Sequence, residues 1–269
     1  MGKFQLLFQV DKLMINIAGA CISLVRTPKL LKYRKLLEKN KTLKENRVSD
    51  KCYICGLGPS LKSVNLNELD GDTIVVNRFN RFDKEKNFSP TYYCITDSGF
   101  LSQENQKELI EATSYYKNTK YFLNAAFFDF INDKSDNSEN LYYSCNWKGS
   151  FSHKNEIDYA KNESVMENVV CYAISLALYM GYKEIILLGC DYNTFATQKP
   201  IHCYGEEDSR KISLSYELFC YSFVSDTHYE LDKYAKRHNV RIINATPGSL
   251  IDAYERDDNY ISNIRNANK

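Results

Sequence analysis

The segment Lys51-Cys52-Tyr53-Ile54-Cys55-Gly56-Leu57-Gly58-Pro59-Ser60-Leu61 is an apolar strand that breaks into a glycine turn. A second apolar strand follows and ends in Val76-Asn77-Arg78-Phe79. Strands of this kind, alternating with helical stretches, belong to a parallel α/β sheet, and that constrains the fold most. A strand stopping at Gly-x-Gly-Pro-Ser also brings backbone N–H groups, a hydroxyl and a helix N-terminus to one spot, which suits a phosphate. Pro59 fits the first helical turn and Ser60 is placed to cap. The spacing lacks the third glycine of a dinucleotide fingerprint and the Gly-Lys-Ser/Thr of a Walker loop. A tight turn with no ligand is the other reading of the same residues.

From residue 51 strand and helix alternate. Apolar runs predict strands over 51–56, 73–77, 91–96, 120–124, 184–190 and 240–245, with helices over 60–69, 104–117, 164–181 and 213–238. Val165, Val169, Tyr172, Ala173, Leu176 and Met180 recur at helical spacing, and Gly181 closes that helix. The expected fold class is α/β, a doubly wound, mostly parallel, Rossmann-like sheet. Ligands of such sheets sit beyond the carboxyl ends of the strands, at the topological switch point. Every polar motif falls at such an end: 56–60, Asn77-Arg78, Thr96-Asp97-Ser98, Asp191-Tyr192-Asn193 and 244–249. Residues 126–163 read as irregular. The stretch 194–212, with Pro200, His202, Tyr204 and Gly205, reads as a lid or substrate loop.

Residues 1–48 read as an extension to a single domain over 49–269. The apolar runs 4–10 and 13–25 are interrupted by Asp11 and Lys12, so no uncharged run reaches the roughly 20 residues of a spanning helix. Arg26, Lys29, Lys32, Arg34, Lys35, Lys39, Lys41, Lys44 and Arg47 follow, against Glu38 and Glu45. An apolar amphipathic stretch followed by a basic one suits an anionic membrane surface, here the inner face of the cytoplasmic membrane. A helix packed on the domain or a partner chain, and a cleaved signal, are the competitors. A net charge of +1 argues against a general nucleic-acid binder. Nine cysteines, mostly in or beside apolar runs, suit a reducing, cytoplasmic setting. A homo-oligomer is left open.

Of four histidines, His153, His202, His228 and His238, two are candidates for acid–base work, His202 and His228. His202 follows the strand end at Asp191 in a loop, where a mobile general base would sit. His228 lies on a helix beside Asp226 and Thr227, where a satisfied surface histidine is the other reading, and a helix-terminus interaction accounts for His238 near that helix's end. Asp70-Gly71-Asp72 matches an Asp-x-Asp metal clamp but precedes its strand, so a turn is expected and no metal. A serine hydrolase is disfavoured, since no Gly-x-Ser-x-Gly elbow follows a strand.

These motifs are similar to those of the metal-independent bacterial sialyltransferases of glycosyltransferase family 42 and their relatives in family DUF115. Tyr53-Ile54-Cys55-Gly56-Leu57-Gly58-Pro59-Ser60-Leu61 resembles their Ile-Ile-x-Gly-Asn-Gly-Pro-Ser-Leu, and Val76-Asn77-Arg78-Phe79 their second-strand motif. The segment 177–185, then Gly189-Cys190-Asp191-Tyr192, resembles their Ala-Leu-x-x-Gly-Tyr-Lys-Glu-Ile and Gly-x-Asp-Phe/Tyr. Asn244-Ala245-Thr246-Pro247-Gly248-Ser249 matches their last strand. Leu57 departs from the usual Asn, Glu167-Asn168-Val169 stands in place of Thr-Ser-Gly, and Ser222 falls near the family's histidine position.

The resemblance implies a GT-A-like variant of the fold and a glycosyltransferase of surface polysaccharide or lipooligosaccharide synthesis. It would transfer sialic acid from CMP-sialic acid to a glycan or glycolipid hydroxyl, with no cofactor beyond the donor. Gly56, Gly58, Pro59, Ser60, Asn77 and Arg78 would surround the nucleotide. Asp97, Ser98, Asn168, Asp191, Tyr192, Asn193 and Tyr204 complete the expected donor site, Asp191 as an anchor for its loops, with His202 or His228 as base. A pterin diphosphokinase-like enzyme and a non-catalytic scaffold of a membrane assembly complex are the alternatives.

Overall fold

The computed structural model describes residues 2–45, 47–85, 87–131, 134–135, 137–197, 199, 201–206 and 212–267. Its strands are β1 (Lys51–Cys55), β2 (Asp72–Val76), β3 (Tyr92–Ile95), β4 (Lys120–Asn124), β5 (Leu141–Ser150), β6 (Asn162–Val165), β7 (Glu184–Leu188), β8 (Ile201–His202), β9 (Gly205–Glu206), β10 (Arg241–Asn244) and β11 (Glu255–Arg256). The helices are α1 (Lys3–Val25), α2 (Thr27–Glu38), α3 (Gln103–Thr113), α4 (Phe128–Ile131), α5 (Val169–Met180), α6 (Leu214–Arg237) and α7 (Tyr260–Ala267).

Nine strands form one parallel sheet in the order β11-β10-β7-β1-β2-β3-β4-β5-β6. The chain leaves β1 toward β2 on one side and β7 toward β10 on the other, so β1 and β7 flank the switch point. Alternation along β1 sends Cys52 and Ile54 into one core, with α5, and Tyr53 and Cys55 into the other. The two cysteines therefore share no face. From Cys171 to Met180 every α5 residue is buried. Asn168 caps the helix by accepting the Cys171 N–H (2.8 Å), and Gly181 ends it at φ 87°.

Four expectations change. The segment 60–69 is not a helix but two 3₁₀ turns, Pro59–Ser63 and Leu66–Glu68, because Asn65 caps a second turn through the Asn67 N–H. The helix expected from 164 begins at Val169, because Glu163 to Val165 pair with β5 as an edge strand. The irregular stretch 126–163 holds ten-residue β5, whose Leu141, Tyr142, Tyr143, Cys145 and Trp147 are buried. The boundary at residue 48 does not follow the packing. Tyr33, Leu37 and Leu43 are core residues, and Asn40 Nδ2 donates to the carbonyls of Tyr143 and Tyr159 at 2.7 Å each.

Asp11 and Lys12 do not interrupt α1, because Lys12 turns inward to Asp226 on α6 (2.6 Å). By length and composition α1 is long and apolar enough to cross a membrane. Its inner stripe touches the domain through Phe8 on Phe223 and Ser23 on Asn162. The same stripe carries Gly19, where a β-carbon would lie 2.7 Å from Gly149 Cα. No α1 residue is fully buried, and Leu6, Leu7, Val10, Leu13, Met14 and Ile17 face outward.

Candidate active site

The glycine turn after β1 does not present its N–H groups to a ligand. Gly56 N–H donates to Leu188 O (2.7 Å) and Gly58 N–H to Gly189 O (2.8 Å). Ser60 gives its N–H to Asp191 Oδ1 (3.3 Å) and its hydroxyl to Oδ2 (2.7 Å). The phosphate cradle read from this turn is thus a clasp between β1 and the end of β7, and its glycines admit Gly189 and Asp191 rather than an anion. The 3₁₀ turn that follows is only five residues long and offers no extended helix dipole.

The helix N-terminus that does open onto the crevice is that of α5. A small cavity of about 120 Å³ lies over the switch point, lined by Gly56, Gly58, Pro59, Asn168, Asp191, Tyr192, Asn193 and His202 among others. A larger one of about 420 Å³ lies over β2, β3 and β4, lined by Asn77, Thr96, Asp97, Ser98, Asn124, Asn146, Glu167 and Asn168 among others. Asn168 belongs to both and joins them. Two non-glycine residues at this end take left-handed backbone, Asn77 (φ 43°) and Tyr192 (φ 59°), a costly conformation that clusters at functional sites. Asn77 Oδ1 accepts the Thr96 N–H (3.4 Å), tying β2 to β3 across the cleft.

Eleven of the expected residues line this crevice: Gly56, Gly58, Pro59, Asn77, Asp97, Ser98, Asn168, Asp191, Tyr192, Asn193 and His202. His202 is held there because the next residue, buried Cys203, donates its N–H to Leu57 O (2.8 Å). The β8–β9 hairpin thus pins part of the expected lid onto the β1 turn. Pro200 and 207–211 lie outside the described residues.

Ser60, Arg78, Tyr204 and His228 do not line it. Ser60 serves Asp191, as above. Arg78 lies over the Phe100 ring and pairs with Glu108 (3.3 Å) and Asp97 (3.5 Å). Tyr204 stacks on His202 with ring centroids 5.0 Å apart. His228 is 1% exposed, wedged between Cys171 Sγ and the Tyr254 hydroxyl (2.8 Å from Nδ1). Burial pushes its pKa down to about 3, against a smaller opposing pull from Asp252. A ring so placed has no path to an acceptor hydroxyl, and its role is packing.

Sequence reading passed over Asn124, Asn146, Tyr172 and Glu167 as site residues. The Tyr172 hydroxyl is buried with no hydrogen-bond partner among the described residues. The Glu167 carboxylate accepts from Thr227 Oγ1 (2.5 Å). Burial raises its pKa; the Thr227 bond lowers it, Asp226 raises it further, and Lys12 lowers it. The available signal was Asn124 at the end of β4, a strand end like the others. Among the described residues no three His, Cys, Asp or Glu side chains gather as a metal site. Asp70 and Asp72 lie at the opposite end of the sheet, bound to Lys51 (2.8 Å) and to the Tyr182 hydroxyl (2.7 Å) respectively.

No protein-family model matches the chain, and a search of curated proteins finds no match. Among solved structures, the MAf glycosyltransferase from Magnetospirillum magneticum AMB-1 is similar at 12% identity and TM-score 0.51, over 84% of this chain and 38% of that one. The α-2,3-sialyltransferase Cst-I from Campylobacter jejuni is similar at 17% identity and TM-score 0.45, over 77% of this chain and 79% of that one. CstII from the same organism, in complex with CMP, is similar at 18% identity and TM-score 0.47, over 78% and 85%. The likeness is one of fold: the chain shares a doubly wound α/β architecture with the MAf structure.

Proposed function

We propose that the protein is a glycosyltransferase that binds a nucleotide-sugar donor in this crevice, with CMP-sialic acid as the donor. The sugar passes to a hydroxyl of a glycan or glycolipid in bacterial surface polysaccharide or lipooligosaccharide synthesis. One observation carries the reading: two cavities at the sheet's carboxyl end meet at Asn168, the N-cap of α5. Departure of CMP from a tertiary anomeric carbon builds negative charge on phosphate and an oxocarbenium-like centre on the sugar. Beyond Asn168 the N–H groups of Val169 and Val170 open α5 without intrahelical acceptors, and a helix N-terminus stabilises that charge without a metal. The amides of Asn77, Asn124 and Asn146 suit sugar hydroxyls and the base. His202, over the smaller cavity, is the proposed general base.

The same reading places the protein on the inner face of the cytoplasmic membrane, through the outward apolar face of α1 and the exposed Lys29, Lys35 and Lys41. Lys32, Arg34 and Lys39 contribute less, since they already meet Asp129, Glu38 and backbone carbonyls. Calorimetry of the full chain against CMP, UDP and ATP, with and without EDTA, tests the function. Tightest binding to CMP, unaffected by EDTA, is expected. Binding of ATP alone, dependent on Mg²⁺, would replace it with phosphoryl transfer, and binding of none would leave a scaffold.

A further inference from the structure

We propose that an apolar groove between α1, β5 and α6 holds the hydrocarbon chain of a lipid-linked acceptor whose sugar lies in the crevice. This rests on the glycosyltransferase reading and adds the class of acceptor. The groove encloses about 440 Å³ between Ile15, Ala18 and Ile22 of α1 and Phe219 and Phe223 of α6, over Gly149 of β5. That volume lies within the roughly 300–1,000 Å³ of small-molecule sites. Val165 and Glu167 line this groove and the larger cavity of the crevice alike. An occupant spanning both is therefore apolar at one end and polar at the other, with the Glu167 carboxylate at the change-over.

Shape and surroundings select the occupant. A helix of another protein measures about 10 Å across with its side chains. Gly19 and Gly149 bring α1 and β5 into backbone contact and leave no such width, whereas a flexible methylene chain fits. Ile22 and Phe219, 45% and 47% exposed, open the groove beside the outward face of α1, where Leu13, Met14 and Ile17 are at least half exposed. Exposed Lys29 and Lys35 lie just past that helix. An apolar face ending in a basic collar matches the boundary between acyl chains and anionic headgroups. From that boundary a hydrocarbon chain enters the groove without crossing water.

The test uses the full chain with the fluorescent fatty acid cis-parinaric acid, below its micellar concentration, as probe. Ala18→Trp and Ile22→Trp fill the groove from exposed positions, and Leu13→Asn alters only the outward face. The filled variants should bind the probe about tenfold more weakly, with melting temperature and CMP affinity retained, while Leu13→Asn leaves all three unchanged. Unchanged probe affinity in both filled variants, or its loss in Leu13→Asn alone, overturns the proposal. In turnover, KM for an alkyl glycoside should fall with chain length in the native protein and not in Ala18→Trp; the same dependence in both overturns it. Absence of transfer to any acceptor, with probe binding still lost on filling, would sink the glycosyltransferase reading and leave a lipid-chain site.

Discussion

A β-carbon on Gly58 would lie 2.5 Å from Cγ of Asp191 and 2.8 Å from the carbonyl oxygen of Gly189. The glycine is there to let two strand ends meet. Gly58→Ala should therefore cost about 1–3 kcal/mol with no nucleotide present, read as a lowered melting temperature. In an Asp191→Ala background the same change should cost less, since the nearer obstacle is gone. Equal costs in both backgrounds would assign the limit to Gly189 alone.

Nucleotide affinity should respond to the amides of the crevice. Asn77→Gly removes the side chain, and with it the long bond to the Thr96 N–H, while relieving the left-handed backbone, so CMP affinity should drop about tenfold with only a small net change in melting temperature. Asn168→Ala should lower both, because it also removes the α5 cap, worth about 1 kcal/mol. Calorimetry and melts on the two variants separate binding from stability.

His202→Ala should lower turnover by roughly 10²–10⁴ with CMP affinity nearly unchanged. Glu167→Gln is the comparison, being a partly buried carboxylate that lines the same crevice. Full turnover in His202→Ala with loss in Glu167→Gln would move the base to Glu167.

Stability should fall on the acid side through His228. Its folded pKa, about 3, lies below the ordinary 6.5, so the unfolded chain takes up the proton first. The stability it contributes is complete above pH 6.5 and is lost as pH falls toward 3, by about 1.4 kcal/mol per pH unit. His228→Gln removes the titration while keeping a polar partner for Tyr254. Denaturant melts from pH 7 to 5 should show a shallower slope in the variant than in the native chain; parallel slopes would deny the burial argument.

Two truncations should differ. Removing residues 2–25 takes away no fully buried side chain and should leave a folded protein that no longer sediments with anionic vesicles. Removing 2–48 also removes Tyr33, Leu37 and Leu43, each buried apolar side chain worth about 1.5–3 kcal/mol, and should yield insoluble chain. Soluble yield and vesicle sedimentation read the two effects.

The central strands were legible because β1, β2, β3, β4, β7 and β10 are short apolar runs bounded by turns. So was the sheet end that carries the crevice, since its polar residues follow those runs. Strand β5 was not, because Asn146, Lys148 and Gly149 interrupt its apolar character; Asn146 instead bonds Ser164 O of β6 (2.8 Å). The use of the glycine turn was also hidden. Its donors meet acceptors on a segment 131 residues away, a pairing that depends on β1 and β7 being neighbours. His228 looked available beside Asp226 and Thr227, and only the packing of Tyr254 and Cys171 around it shows that it is enclosed.

The glycine pair that seats α1 has a genetic corollary. A β-carbon on Gly149 would lie 2.9 Å from Asn16 Cα, just as one on Gly19 would strike Gly149. Neither position can accept a larger residue while the other backbone stays put, and lifting the helix would pull Lys12 from Asp226 and Ser23 from Asn162. Single substitutions at 19 or 149 should thus be rare among descendants of this sequence, and where one has drifted the helix should have been re-seated by changes at several positions together.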